Sequence, residues 1–318
     1  MNKKIILTFL VVLIIAVIAL MVKDLFFSDT DHENPFELQT DNLKKNDTTL
    51  ICYKEIYQIK PNIDDLSGIA VDKENNIIVV GSKLMIYDKT FKEIKSVKLS
   101  ETGNCVAINS TGEIYIGIQN HIEVYDMNAG LKRHWATSNK ESVITGIAVN
   151  DSSVFAADAA DRVVHQYDFK GKLINNIGGK NAGKGIQEII IRSPFFDVSI
   201  GRDNEIWISN PGCYLLEAFD VKGNLKTTWG KSSAELDGFC GCCNPTNFTL
   251  LSDGSFVTSE KATPRVKIYS PEGKFVCLVA GPDKFDEGTK GLDLAVDSEN
   301  TIYVLDPERK QIRVFKKK

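Results

Sequence analysis

The 318-residue chain has no surplus of basic residues and little histidine, and each shortage argues against particular classes of function. Its 38 Lys and Arg against 42 Asp and Glu give a net charge of −4, so no positive field favours a nucleic-acid backbone. No H-x-x-H or C-x-x-C-H spacing occurs, which argues against histidine zinc sites and covalent haem. The four histidines are scattered: His32, His121, His134 and His165. We therefore expect no nucleic-acid partner.

The longest apolar run lies near the N-terminus and predicts a membrane anchor. Residues 5–22 carry no charge and follow Lys3 and Lys4. Eighteen residues in a helix span about 27 Å, close to the roughly 30 Å hydrocarbon core of a bilayer. The two lysines favour a cytoplasmic N-terminus. Residues 1–27 are therefore predicted to form one transmembrane signal-anchor at the cell membrane, with the remainder on the extracytoplasmic (periplasmic) side.

A cleaved signal peptide is the alternative, and it would export the remainder equally. Against it, the apolar run is longer than the usual ~7–15 residues and its exit has no small-x-small cleavage site. Residues 28–50 follow, with many Asp, Asn and Lys and few apolar side chains. This composition predicts a flexible linker, so the folded domain is expected to be residues 51–318.

Residues 51–318 contain six copies of one unit. Each copy has an apolar strand, a polar turn, a second strand, a loop and a third strand that ends in an aromatic residue. Equivalent apolar residues of the first strands, spaced 37 to 51 residues apart, are Val71, Ile108, Val149, Ile200, Leu250 and Val296. The aromatic residues are Tyr87, Tyr125, Tyr167, Phe219, Tyr269 and Phe315. This pattern is typical of the four-stranded blades of a β-propeller.

These repeats resemble those of the NHL-repeat family of six-bladed β-propellers, over residues 53–315. The resemblance implies an all-β fold with six blades around a central channel. Copy six ends after its third strand, and the alternating residues 53–60 are predicted to supply the missing strand and close the ring. The family includes lyases, hydrolases, scaffolds and binding modules, so it indicates the fold much more closely than the function.

In such propellers the links between blades and the loops between second and third strands emerge on one face. The resemblance therefore places five of the seven cysteines at that face: Cys105, Cys213, Cys240, Cys242 and Cys243. It adds the charged binding candidates Glu260, Lys261, Arg265, Asp158 and Arg162. Loops on a rigid scaffold commonly carry function, so this face is the predicted functional surface.

The cysteines leave three alternatives open. In an exported protein the first is a disulfide from Cys213 to one cysteine of residues 240–243. The second is a thiolate site for a soft metal ion, Cu(I) or Zn, at the same four cysteines. The third is redox exchange by a reactive thiol with a resolving partner. Cys277 is expected to be a small core residue, and Cys52 to be incidental.

Together these features predict a membrane-anchored binding or scaffold module rather than an enzyme. Its Cys-bearing face would contact a protein, redox or metal partner. The alternative is a hydrolase, a lyase or a thiolate metal or redox protein with its site at the channel mouth. A disulfide-bonded cluster would favour the scaffold, and a reactive thiol or bound metal would favour the alternative.

Overall fold

The computed structural model describes residues 3–27, 48–137, 139–179, 188–286 and 288–318. The chain divides into two units, Met1–Thr40 and Asp41–Lys318. In the first, the apolar run forms helix α1 (Lys3–Phe27), with exposed apolar side chains such as Phe9. Within the described ranges, no helix has both the length and the apolarity that a membrane crossing requires. The helix is thus confirmed, and its membrane crossing stays a prediction.

The second unit is a six-bladed β-propeller, as the repeats predict. The predicted linker, residues 28–50, lies outside the described residues apart from a single 3₁₀ turn at Thr48–Leu50. Strand β1 (Tyr53–Ile59) follows this turn. Blade 1 contains β2 (Gly68–Val71), β3 (Ile77–Val80), β4 (Lys83–Tyr87) and β5 (Glu93–Lys98). Blade 2 contains β6 (Cys105–Ile108), β7 (Ile114–Ile118), β8 (His121–Tyr125) and β9 (Leu131–Ala136).

The remaining blades repeat this plan, and each sheet is antiparallel. Blade 3 contains β10 (Ile144–Val149), β11 (Val154–Asp158), β12 (Val163–Tyr167) and β13 (Leu173–Gly178). Blade 4 contains β14 (Val198–Ile200), β15 (Ile206–Asn210), β16 (Leu215–Phe219) and β17 (Leu225–Trp229). Blade 5 contains β18 (Asn247–Leu250), β19 (Phe256–Glu260), β20 (Arg265–Tyr269) and β21 (Phe275–Ala280). Blade 6 contains β22 (Asp293–Val296), β23 (Ile302–Asp306), β24 (Gln311–Lys317) and the N-terminal strand β1.

Strand β1 closes the ring, as predicted, by pairing antiparallel with β24. A disulfide between Cys52 and Cys277 joins the start of this closing strand to β21 of blade 5. The expectations that Cys52 is incidental and that Cys277 is only a core side chain are therefore wrong. The two cysteines lie 225 residues apart, so ring closure brings them together and no local pattern shows the pairing.

Turn chemistry and burial explain why this sequence forms these strands. A residue with positive φ occurs between the first and second strands in five blades, at Asn75, Gly112, Asn204, Gly254 and Asn300. Asn and Gly adopt this conformation most readily, so these hairpins form locally. The second strands are buried along their length, which is why they read as continuous apolar runs. The first strands line the central channel, which encloses a cavity of about 650 Å³.

Candidate functional site

The Cys segment, residues 239–245, lies in the link between β17 of blade 4 and β18 of blade 5. The backbone N–H of Cys240 donates to Glu260 Oε2 at 2.8 Å, and that of Lys261 donates to Asn244 Oδ1 at 2.9 Å. Asn244 Nδ2 also donates to the carbonyl oxygens of Cys240, at 2.5 Å, and Lys261, at 3.2 Å. The structure thus joins the Cys segment to the loop between β19 and β20.

Glu260 is fully buried at the centre of an ion network. It ends β19 and lies opposite Arg265, the first residue of β20. Arg265 donates to both carboxylate oxygens, from Nε at 2.9 Å and from Nη2 at 3.1 Å. Lys267 Nζ lies 2.7 Å from Glu260 Oε1. One carboxylate therefore meets two cations and the Cys240 N–H, and removal of the carboxylate would leave both buried cations without a counter-charge.

Lys267 extends this network to the residues that precede the Cys segment. Its ammonium donates to the carbonyl oxygens of Leu236, at 3.2 Å, and Gly238. The hydroxyl of Tyr269 donates to the same two oxygens, at 3.0 and 3.2 Å. Burial lowers the pKa of Lys267 to about 8, although the Glu260 carboxylate opposes the shift. Two side chains of β20 therefore hold the start of the Cys segment in one conformation.

The three cysteines of the segment differ in exposure. Cys242 is exposed, Cys240 is half-buried and Cys243 is only 2% exposed. The Sγ atoms of Cys242 and Cys243 lie 3.0 Å apart. The hydrogen bond with Cys243 raises the pKa of the Cys242 thiol, while the charges of Lys261 and Arg192 oppose the shift. An exposed thiol therefore lies against a buried one.

The sulfur atoms do not converge into a four-sulfur cage. In the part of the chain that the structure describes, no group of three or more His, Cys, Asp or Glu ligand atoms within 4.8 Å includes a cysteine. The disulfide expected between Cys213 and the segment is not formed, because Cys240, Cys242 and Cys243 are thiols. The segment turns so that Cys243 Sγ meets Cys242 Sγ instead. The geometry thus offers a two-sulfur pair.

Asp158, the buried candidate of blade 3, pairs with a histidine. Its carboxylate accepts the N–H of Val143 at 3.0 Å and lies 3.3 Å from His165 Nε2. Burial opposes ionisation, but the hydrogen bonds outweigh it and lower the pKa of Asp158 to about 2. Asp158, Asp161 and His165 place three ligand atoms within 4.8 Å of one another. Asp161 also accepts two hydrogen bonds from Asn139, so the carboxylates of this group already have hydrogen-bond partners within the chain.

Asp158 and Glu260 occupy the same place in their blades, the last residue of the second strand. Each pairs with the third residue of the third strand, and two other blades repeat the arrangement. The pairs are Asp158 with His165 at 3.3 Å, Asn210 with Glu217 at 3.2 Å, Glu260 with Lys267 at 2.7 Å and Asp306 with Arg313 at 3.9 Å.

Three of these residues also anchor the link that precedes their blade. Asp158, Asn210 and Glu260 accept the backbone N–H of Val143, Ile190 and Cys240, respectively. Recurrence identifies one structural device, a polar side chain that fixes the preceding link. Ligand binding by Asp158, Glu260 and Arg265 stays a prediction.

Lys261 and Arg162 are the charged candidates that reach the surface. Lys261 Nζ donates to Ser193 Oγ at 3.0 Å and lies 5.2 Å from the ring centroid of Phe195. Arg162 forms an exposed ion pair with Glu188 at 3.1 Å, in blade 3 and away from the Cys segment. The structure thus brings Lys261, Glu260 and Arg265 to the Cys segment and leaves Asp158 and Arg162 in a separate cluster.

The central channel holds a second set of polar residues that sequence reasoning missed. Three residues before the aligned apolar position, the six blades present Gly68, Cys105, Gly146, Asp197, Asn247 and Asp293. Asp197 Oδ2 accepts the N–H of Phe248 in blade 5 at 2.9 Å, and Asp293 Oδ2 accepts the N–H of Ile69 in blade 1 at 2.8 Å. Asn247 Nδ2 donates to Asp293 Oδ1 at 3.3 Å. These side chains bind neighbouring blades, and the signal for them is that three of the six copies carry an acid or an amide where the others carry Gly or Cys.

The channel carboxyls retain protons more tightly than usual. Burial raises the pKa of Asp293 to about 6. Burial and the nearby charge of Asp293 raise the pKa of Asp197 well above its ordinary range. Burial also raises the pKa of the Cys105 thiol. Each of the two carboxyls therefore keeps its proton to a higher pH than an exposed aspartate does.

Comparison with known proteins supports the fold. No protein-family model matches the chain, and no curated protein matches its sequence. A streptogramin B lyase structure is similar, with a TM-score of 0.60 and 11% identity over 84% of this chain and 98% of that chain. Virginiamycin B lyase from Staphylococcus aureus has a TM-score of 0.58 and 13% identity over 83% of this chain and 99% of that chain.

A protein of unknown function from Bacteroides thetaiotaomicron has a TM-score of 0.63 and 13% identity, over 83% of this chain and 71% of that chain. At such identities the likeness concerns the fold and does not transfer an activity. The chain is a six-bladed β-propeller whose structural neighbours include lyases.

Proposed function

We propose that the protein is a binding module that contacts another protein through the face bearing the Cys segment. The observation that carries this proposal is the fixed presentation of Cys242, with its thiol exposed and the chain on both sides held by buried side chains. A loop held in one conformation loses little entropy when a partner binds. The buried ion network of blade 5 therefore holds the exposed surface around Cys242 in one conformation.

The charge around Cys242 indicates what kind of surface the partner presents. Lys261 and Arg192 both act electrostatically on the Cys242 thiol. Such a basic rim attracts an acidic surface and speeds association at low salt. We expect the partner to be acidic where it meets Cys242, and we expect added salt or Lys261→Glu to slow association.

Photo-crosslinking of the full chain in cells tests the binding proposal. A photoreactive amino acid replaces Lys231, an exposed residue of the same link, or Ser152, an exposed residue of the turn between β10 and β11. In the propeller geometry these positions emerge on opposite faces. We expect a protein adduct from position 231 that Lys261→Glu weakens, and none from position 152. Equal adducts from both positions, or none from position 231, would contradict the proposal.

We propose further that α1 anchors the propeller to the cell membrane as a single pass, with the propeller on the extracytoplasmic side, and that its repeats are of the NHL type. The apolar residues 5–22 and the exposed apolar side chains of α1 support the anchor. The Cys52–Cys277 disulfide supports export, because structural disulfides persist in oxidising compartments. A periplasm-dependent reporter fused after Lys318 should be active. Activity of a cytoplasm-dependent reporter there would reverse the topology.

The second candidate function is an enzyme, a lyase or hydrolase, with its site in the channel. The observation that favours it is the pair Asp197 and Asp293 beside a cavity of about 650 Å³, because a buried carboxyl with a raised pKa suits general acid catalysis. Incubation of the full chain with a streptogramin B antibiotic tests the lyase directly. Cleavage of the antibiotic that Asp293→Asn abolishes would support this function, and intact antibiotic would reject that substrate.

A further inference from the structure

We infer that Cys242 and Cys243 form a redox-active dithiol that reduces a disulfide of the protein partner. The inference deepens the proposed function and rests on it, since the same face now carries a defined chemistry. It starts from the positions of the two sulfurs: one is exposed, the other is 2% exposed, and they lie 3.0 Å apart. Thiol–disulfide exchange needs this division between an accessible attacking thiol and a protected resolving thiol.

The separation of the sulfurs favours exchange over metal chelation. Two thiolates that share one tetrahedral Zn, with Zn–S bonds of about 2.3 Å, lie about 3.8 Å apart. The observed 3.0 Å is shorter and approaches a bonded pair. The third cysteine of the segment, Cys240, lies within electrostatic reach of Arg265 and Lys267, and it joins no group of three ligand atoms in the described part of the chain.

The reaction is a two-step exchange that balances in electrons and protons. The Cys242 thiolate attacks one sulfur of the partner's disulfide, and the partner's S–S bond breaks as the mixed disulfide forms. The other partner sulfur leaves as a thiolate and takes a proton from solvent. Cys243 then gives its proton to solvent and attacks Cys242 Sγ, which releases the second partner sulfur. The partner gains two electrons and two protons, and the pair loses the same number.

Because Cys242 and Cys243 are adjacent in the chain, the disulfide that they form is also easy to reduce. Consecutive Cα atoms across a trans peptide lie about 3.8 Å apart, below the roughly 4.4 Å at which ordinary disulfides begin. A bond formed at this spacing is more reducible than a structural disulfide such as Cys52–Cys277. A mild thiol reductant should therefore return the oxidised pair to the dithiol and leave the Cys52–Cys277 disulfide intact.

The test uses the full chain in detergent, treated with a mild reductant that leaves the Cys52–Cys277 disulfide intact and then freed of that reductant, with glutathione disulfide as the probe. Acid quenching and peptide mass spectrometry report each cysteine. In the unmodified chain we expect a Cys242–Cys243 disulfide and release of reduced glutathione. In Cys243→Ser we expect the glutathione mixed disulfide to accumulate on Cys242. Cys242→Ser should slow glutathione release at least about tenfold, because buried thiols react poorly.

Cys240→Ser is the matched control, since it removes the neighbouring thiol and leaves the pair in place. It should behave as the unmodified chain does. A bond from Cys242 to Cys240, a stable mixed disulfide on Cys242 of the unmodified chain, or no mixed disulfide in Cys243→Ser would each overturn the inference.

A second measurement separates this inference from the binding proposal. The double variant Cys242→Ser/Cys243→Ser, with the photoreactive amino acid at position 231, should still give the protein adduct in cells. An adduct combined with failure of the glutathione reaction would overturn the dithiol and leave the binding proposal standing. Glutathione exchange without any adduct would overturn the protein partner and leave the chemistry of the pair.

Discussion

Blade 1 and blade 5 share one strand plan but hold their preceding links in different ways. At the two equivalent positions blade 1 has Gly81 and Met85, whereas blade 5 has Glu260 and Lys267. In blade 1 the link packs directly on Gly81, where a Cβ would lie 2.1 Å from the Asp65 carbonyl oxygen. In blade 5 the link is held by a buried ion network. Close packing and partly exposed hydrogen bonds, such as that from the Ser82 N–H to Asp65 Oδ1 at 2.9 Å, hold the link of blade 1, whereas a fully buried ion network holds that of blade 5.

The links themselves explain this difference. Residues 60–67 before blade 1 form a short connection, whereas residues 230–246 before blade 5 form a long one that contains the Cys segment. A long loop has more conformations to lose, so close packing at one glycine would not select a single one. The hydrogen bonds of Glu260 and Lys267 fix the start of the Cys segment, and those of Asn244 fix its end. Comparison of the two blades therefore points to the Cys segment as the reason for the charged core of blade 5.

The largest expected effect comes from breaking the blade 5 network with Glu260→Gln. Arg265 and Lys267 would remain buried without their counter-charge, so unfolding should become easier by about 3–5 kcal/mol. Denaturant unfolding measures the change. Glu217→Gln in blade 4 is the matched control: Glu217 is buried against Asn210, and burial raises its pKa, so the amide should cost under about 1.5 kcal/mol. Equal losses would contradict the special role of blade 5.

The next effect concerns the disulfide, which ties blade 5 and not blade 1 to the closing strand. Replacement of Cys52 by Ser together with Cys277 by Ala should lower the free energy of unfolding by about 2–4 kcal/mol. Reductant should destabilise the unmodified chain by a similar amount and leave the double variant unchanged. A variant as stable as the unmodified chain would show that strand pairing alone closes the ring.

A smaller effect on stability is expected at the channel position of blade 6. Blade 6 has the titratable Asp293 there, whereas blade 5 has Asn247, which does not titrate. A carboxyl with a raised folded-state pKa stabilises the fold fully below its unfolded pKa of about 3.9, and this contribution is lost as pH rises through about 6. Because one pKa unit corresponds to about 1.4 kcal/mol, stability should therefore fall by up to about 3 kcal/mol across that range. Asp293→Asn should flatten this fall in denaturant unfolding at several pH values, with a remainder from Asp197. An unchanged pH dependence in the variant would assign the fall to other groups.

The elements that depend on local pattern were predictable from the sequence. The six blades follow from periodic apolar strands and the aligned turns at residues such as Asn75 and Gly112, which take positive φ because of their own chemistry. The closing strand follows from the incomplete sixth copy and the alternation of residues 53–60. Local sequence and ring closure agree in these places, so the fold could be inferred before any contact was known.

The contacts that depend on tertiary structure were not predictable. Cys52 and Cys277 meet only after the ring closes. Asn244 looks like an ordinary loop residue, yet it is fully buried and holds the Cys segment. Glu260 suggested a solvent-facing ligand group, because the sequence does not show that Arg265 and Lys267 cover it. Burial decides the role of such polar residues, and burial is a property of the assembled blades.

The central claim is that buried side chains of the blade 5 region keep the Cys242 thiol exposed and the Cys243 thiol buried. Residue-resolved alkylation of the reduced full chain, followed by mass spectrometry, tests it in the unmodified chain and in Asn244→Ala. Asn210→Ala removes a buried anchor of the link that precedes blade 4, away from the Cys segment, and serves as the control. We predict that Cys242 reacts at least about tenfold faster than Cys243 in the unmodified chain and in the control, and that Asn244→Ala reduces this ratio. Equal reactivity of the two thiols in the unmodified chain, or an unchanged ratio in Asn244→Ala, would contradict the account.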